Sequence, residues 1–142
     1  VDYLNFFLLR IGHVLFNNFK IEGREKIPTG VPIIFVANHQ GMYDIIGMIW
    51  FLRKFHPKFV SKVELGKGIP SVSYNLSHGG SVLIDRKDPK QAIPAIKGLS
   101  EYIEKHKRSA VIFPEGTRTK TGKPKEFAQS GLKILCCAYI HQ

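Results

Sequence analysis

Four short, mostly apolar runs, each followed at once by polar or turn-forming residues, constrain this chain more than any other feature. They are Ile33 to Ala37, Phe59 to Ser61, Ser81 to Ile84 and Ala110 to Phe113. A continuous apolar run of this length, without alternation, is the pattern of a strand covered on both faces, as in a parallel sheet. Stretches with helical periodicity lie between them. Ile45, Ile46, Met48, Ile49 and Phe51 follow Asp44, which stands as the N-cap or in the first turn of a helix. A weaker helix is expected over Ser71 to Ser77. Ile96, Leu99, Tyr102 and Ile103 mark another, with Asp88 and Pro89 at its start and Pro94 in its first turn. Phe127 to Cys137 reads as the last helix. Strand and helix in alternation predict an α/β domain with a largely parallel or mixed central sheet flanked by helices. Such sheets collect their chemistry beyond the carboxyl ends of the strands, and polar clusters here follow three of the four runs.

Ahead of this pattern, Leu4, Phe7, Leu8, Ile11, Val14 and Leu15 recur at helical spacing, with Phe6, Leu9 and Phe16 beside them. Asp2, Asn5, Arg10 and His13 interrupt the stretch before it reaches the ~20 apolar residues of a membrane span. The expectation is an amphipathic, membrane-interface helix over residues 1–19, followed by one domain over residues 20–142. Lys20 to Glu22 is predicted as a short strand and Gly23 to Pro32 as a turn-rich loop. Lys and Arg total 21 against 11 Asp and Glu, a formal net charge of +10. That imbalance implies an anionic partner: a phosphate-bearing ligand, an acidic membrane surface or nucleic acid. The charge alone does not choose among them. The two cysteines, Cys136 and Cys137, are neighbours, which disfavours a disulfide between them, supplies no zinc framework and fits a reduced, cytoplasm-facing setting.

The segment from Asn38 to Asp44 directly follows the first run. His39 and Asp44 are five positions apart, about 140° on an ideal helix, so they meet only if the loop turns before the helix begins. Gly41 eases such a turn. A carboxylate on one imidazole nitrogen fixes the tautomer and leaves the other nitrogen to take a proton from a hydroxyl, the logic of a Ser-His-Asp triad with a bound alcohol in place of the serine. No G-x-S-x-G elbow supports a serine nucleophile. A loop hydrogen bond and a helix cap are the plainer alternative. Phe113 to Arg118 follows the fourth run: Gly116 permits close backbone approach, Thr117 donates a hydroxyl, and Arg118 can grip a phosphate bidentately. Gly80 to Arg86 places Asp85 and Arg86 at the end of the third run, where Asp85 alternatively pairs with a neighbouring cation. A metal-dependent hydrolase built on His39, Asp44 and Asp85 lacks a second well-spaced histidine.

Taken together, these stretches resemble the 1-acylglycerol-3-phosphate acyltransferase family, the lysophosphatidate acyltransferases. Its N-H-x-S-x-x-D motif is matched by Asn38, His39 and Asp44, its glycine and apolar run ending in Asp-Arg by Gly80, Ile84, Asp85 and Arg86, and its F-P-E-G-T-R motif from Phe113 to Arg118. A K-x-E-L element at Lys62, Val63, Glu64 and Leu65 is similar to the stretch between the first two. Gly41 stands where the family commonly has Ser. The family continues with a strand carrying an apolar-Pro-apolar motif, so the C-terminal part of the catalytic domain is expected to be missing beyond Gln142.

The resemblance implies a glycerophosphate-acyltransferase-like fold, with His39 as general base and Asp44 as its orienter. Glu115, Gly116, Thr117 and Arg118 would shape the acceptor site with Arg86 and Lys62, the arginines contacting a phosphate. The implied reaction moves a fatty acyl chain from acyl-CoA or acyl carrier protein, as co-substrate, to the free hydroxyl of lysophosphatidate in phospholipid biosynthesis. No metal and no cofactor is implied. The implied partners are a lysophospholipid and an anionic membrane surface, with no nucleic acid, and the implied location is the cytoplasmic face of a membrane, the bacterial inner membrane. Two alternatives stay open: a relative that acylates a different lysolipid, and a non-catalytic basic membrane-binding domain. The second needs Arg86 and Arg118 but not His39.

Overall fold

A computed structural model of the chain describes residues 2–15, 20–67, 70–116, 123 and 125–140. The four runs are strands: β1 (Ile34–Val36), β2 (Pro57–Lys62), β3 (Val82–Ile84) and β4 (Ser109–Ile112). They form one parallel sheet in the order β1-β4-β2-β3. The helices are α1 (Asp2–Leu15), α2 (Met42–Phe51), α3 (Pro70–His78), α4 (Pro89–Lys105) and α5 (Gln129–Ile140).

The order follows from the right hand of parallel crossover connections. The passages from β1 to β2 through α2 and from β2 to β3 through α3 move one way along the sheet, which lays both helices on one face. The return from β3 to β4 through α4 moves the other way, so the same hand puts α4 on the opposite face. Side chains that alternate along the strands separate accordingly. Phe59 and Val111 pack with Ile45, Ile46 and Ile49 of α2, Leu76 of α3 and Leu9 of α1. Val60, Ala110 and Ile112 pack with Ile96, Leu99 and Ile103 of α4 and Leu135 of α5. Burial of each such large side chain is worth about 1.5–3 kcal/mol. Because β4 inserts between β1 and β2, the loops that leave β1 and β4 lie side by side at the carboxyl end of the sheet.

Two expectations are corrected. Lys20 to Glu22 is not a strand: it is exposed and takes no place in the sheet, and an extended segment gains a ladder only beside another strand. Pro94 is the sixth residue of α4 rather than part of its first turn. The start is fixed earlier, by Asp88, whose side chain accepts from the backbone N–H groups of Lys90 at 3.0 Å and Gln91 at 3.3 Å, and by Pro89 at the first helical position. The buried stripe of Ile96, Leu99 and Ile103 then holds the helix on the sheet despite the backbone bond that Pro94 removes.

α1 is covered on one side only. It docks through Leu9, with Leu8 beside it, while Phe6 meets Trp50 with ring centroids 4.6 Å apart. Gly12 lies so close to Tyr43 that a Cβ there would sit 2.8 Å from the ring. Of the stripe seen in the sequence, Leu8 is packed, whereas Leu4, Phe7 and Ile11 are exposed, Phe7 by 60%. Phe16 to Phe19 lie outside the described residues. Among the described residues no helix is long and apolar enough to cross a membrane.

Leu135 is fully buried, so Leu135→Ala is expected to cost about 2–5 kcal/mol. Loss of the α4 cap in Asp88→Ala is expected to cost about 1 kcal/mol. Urea unfolding reads both as lowered midpoints at unchanged slope; an Asp88 variant with the larger loss would contradict this assignment.

Candidate active site

The chain leaves the sheet just after β1, where the Ala37 backbone N–H donates to the Ile112 carbonyl at 3.2 Å. Residues 38–41 then turn, and α2 starts at Met42 with Asp44 as its third residue. Asp44 Oδ2 accepts from the backbone N–H of Gln40 at 2.7 Å and of Gly41 at 2.8 Å, and lies 3.1 Å from His39 Nδ1. An ionised carboxylate only accepts, so Nδ1 carries the proton and Nε2 is the lone-pair nitrogen of the neutral ring. The meeting that the spacing required therefore takes place. The His39 side chain is only 11% exposed, and its ring stacks on Phe113 with centroids 4.5 Å apart and planes at 27°. Gly41 is not what makes the turn possible: its φ of −150° and ψ of 175° are extended backbone open to any residue. An added Cβ there meets nothing nearer than 4.0 Å, so the family's serine would fit.

Glu115 joins the two neighbouring loops. It is 7% exposed. Its Oε1 accepts from the His39 backbone N–H at 3.2 Å and its Oε2 from that of Lys125 at 3.1 Å. The Lys125 N–H is the chief cause that holds the carboxyl below its usual value of 4.5; desolvation opposes it, and the His39 N–H and the Asn38 side chain add to it. Glu115 thus ties the His39 loop to the loop that follows β4.

The cationic side of the site comes from the ends of β2 and β3. Gly116 has φ +73°, and a Cβ built on it would lie 3.2 Å from Arg86 Nη1, so the guanidinium rests directly on the turn of the F-P-E-G motif. Partial burial pushes the Arg86 pKa down while Glu64 pushes it back up, and an arginine so placed remains charged. Lys62 Nζ lies 3.2 Å from Glu64 Oε1. The Glu64 carboxyl is held below its usual range, first by its own backbone N–H and then by Lys62. Lys62, Glu64, Arg86 and Gly116 therefore make one corner. Asp85 turns to its own loop, Oδ1 accepting from the Lys87 N–H at 2.9 Å. Among the described residues no three His, Cys, Asp or Glu side chains are grouped as metal ligands. Thr117 and Arg118 lie outside the described residues.

Two clefts open on opposite faces of the sheet. One, of about 460 Å³, borders Asn38, Tyr43 and Asp44 over Phe35, Met48 and Phe51. The other, of about 360 Å³, lies under Arg86 and Gly116 between α4 and α5. The sequence reading missed the stacking of Phe113 on His39 and the Lys125 donor to Glu115. A backbone N–H carries no residue signature, so nothing in the sequence could have named that donor.

A family profile described as Acyltransferase matches residues 18–141. The chain belongs to the acyltransferase family. A 1-acyl-sn-glycerol-3-phosphate acyltransferase of Helicobacter pylori (strain J99) is 39% identical over 110 residues, which cover 75% of this chain and 44% of that protein. The chloroplastic 1-acyl-sn-glycerol-3-phosphate acyltransferase LPAT1 of Arabidopsis thaliana is 32% identical over 120 residues, 84% of this chain and 33% of the relative. The crystal structure of PlsC from Thermotoga maritima, a 1-acyl-sn-glycerophosphate (LPA) acyltransferase, superposes with a TM-score of 0.74 at 31% identity, covering 96% of this chain and 53% of that one. The chain spans about a third to a half of the length of these relatives. The family inferred from the three motifs is correct, and the α/β sheet is the fold of the acyltransferase crystal structure.

Because the Glu115 carboxyl is depressed in the folded state, its stabilising contribution is complete above 4.5 and is lost as pH falls through the lower folded value. The stability gap between the wild-type chain and Glu115→Gln, read from urea midpoints, is expected to shrink on acidification below that point; a constant gap would contradict the brace. Gly116→Ala is expected to cost about 1–2 kcal/mol for its left-handed backbone. That cost should fall in an Arg86→Ala background, where the guanidinium contact is gone.

Proposed function

We propose that this chain carries the acyl-transfer centre of an enzyme that esterifies the free hydroxyl of lysophosphatidate. The observation that carries the reading is the His39 Nδ1 to Asp44 Oδ2 contact of 3.1 Å, made on an oxygen that two backbone N–H groups already orient. Such a dyad supplies a base and no nucleophile of its own, so the nucleophile is the substrate alcohol. The names of the relatives and the cationic corner at Arg86 agree in pointing to a phosphate-bearing acceptor.

In the proposed step, His39 Nε2 takes the proton of the acceptor hydroxyl as its oxygen attacks the thioester carbonyl of acyl-CoA or acyl carrier protein. Asp44 stabilises the imidazolium that forms. The tetrahedral intermediate collapses by breaking its C–S bond, and the departing thiolate takes the proton from the imidazolium. The acceptor phosphate pairs with Arg86, with Lys62, Thr117 and Arg118 as the further contacts that the motifs supply. No metal or prosthetic group has a part in these steps.

The uncovered stripe of α1, Leu4, Phe7 and Ile11 with Tyr3, fits a helix lying in a membrane interface, and the net charge of +10 favours an anionic surface. On this reading the enzyme works on the cytoplasmic face of a membrane, where its amphiphilic substrates reside.

The test is thioester-dependent acylation of lysophosphatidate by membranes carrying the protein. His39→Ala and Asp44→Asn are expected to lower kcat on the order of 10²- to 10⁴-fold, with acceptor KM little changed. Arg86→Ala is expected chiefly to raise acceptor KM. Undiminished turnover in the His39 variant would discard the mechanism, whereas membrane binding without any turnover by the wild-type protein would favour a basic membrane-binding domain.

A further inference from the structure

We propose that the cleft beneath Arg86 holds the hydrocarbon chain that the acceptor already carries, so that this cleft, on the far side of the sheet from α2, selects the acceptor. The inference rests on the acyl-transfer reading above. Its walls are apolar side chains from β2, β3, β4, α4 and α5, among them Ile84, Ala92, Ile96 and Ile134. Among the described lining residues Arg86 is the one charged side chain, beside Gly116. That is the complement of an amphiphile with one anionic head and one tail: the guanidinium pairs with the phosphate, and the tail covers apolar wall that water otherwise wets. Ile93 shows what the occupant would cover, since it lines the cleft on α4 and is 39% exposed. Phe113 and Pro114 join the cleft to the histidine, because the same Phe113 ring stacks on His39.

The first cleft suits this occupant less well. Its rim carries Lys20, Glu22 and Arg24, with Lys20 and Glu22 paired to each other, and its inner end is the Asp44 side of the dyad. Two amphiphiles must approach one imidazole, and two clefts on opposite faces keep their tails apart.

The experiment is calorimetric titration of the chain with glycerol phosphate, with 1-alkyl glycerol phosphates of increasing tail length below their micelle concentrations, and with an uncharged octanoyl thioester. Each methylene that enters the cleft is expected to tighten binding by up to ~4-fold. Ile93→Glu, and Ile93→Trp as a second variant that fills rather than charges the cleft, should abolish that gain while glycerol phosphate and the thioester bind as before. Arg86→Ala should weaken every phosphate in the series. A tail-length gain that persists in both Ile93 variants overturns the assignment, as does loss of thioester binding instead, which would give the cleft to the donor. Tail-dependent, Ile93-sensitive binding in a protein that transfers no acyl group would uphold the cleft and reject the proposed reaction.

Discussion

One oxygen atom, Asp44 Oδ2, is the meeting point of the site. Two backbone N–H groups from the turn before α2 and the imidazole Nδ1 of His39 all converge on it. The backbone pair fixes where the carboxylate points, and the carboxylate fixes which ring nitrogen keeps its proton. Helix capping and tautomer control are thus the same interaction, and a carboxylate at the start of a helix is also favoured by the helix dipole. The His39 ring then needs only a flat surface to set its plane, which Phe113 provides from the next strand.

That second contact exists because of the strand order. β1 and β4 are neighbours in space although most of the chain separates them, so the loops leaving them become adjacent. Glu115 ties those loops with one oxygen on each side of the junction. The reversal of direction after β3 also divides the helices between the two faces, and each face leaves its own cleft at the carboxyl end of the sheet. One topological choice therefore supplies both the brace behind the His39 loop and two separate clefts at that end of the sheet.

Much of this was legible in the residues, for physical reasons. Parallel strands buried on both faces must read as unbroken apolar runs, and all four were found close to their observed limits. The motifs that bring His39 to Asp44 and Arg86 to Gly116 were legible because they follow the strand ends directly. Lys20 to Glu22 misled because strand propensity is local while a ladder is not. Pro94 misled because a start fixed upstream, by Asp88 and Pro89, outweighs one missing bond. For α1 the periodicity gives an apolar stripe but not how much of it the core covers. Asn5, Leu9 and Gly12 are buried there, and Leu4, Phe7 and Ile11 face out. The backbone N–H groups of His39 and Lys125 that meet Glu115 could not be read from the sequence, since no residue pattern announces a main-chain donor.

The position of β4 has a further consequence, for synthesis. His39 and Glu115 are 76 residues apart, so the ribosome releases the histidine loop long before its brace. Until Ile112 has emerged from the exit tunnel, β1 has no neighbour and β2 lacks its inner one. A nascent chain in that interval presents bare strand edges, the condition that invites wrong pairing or chaperone capture. Closure of the sheet and bracing of the histidine loop are consequently one late event.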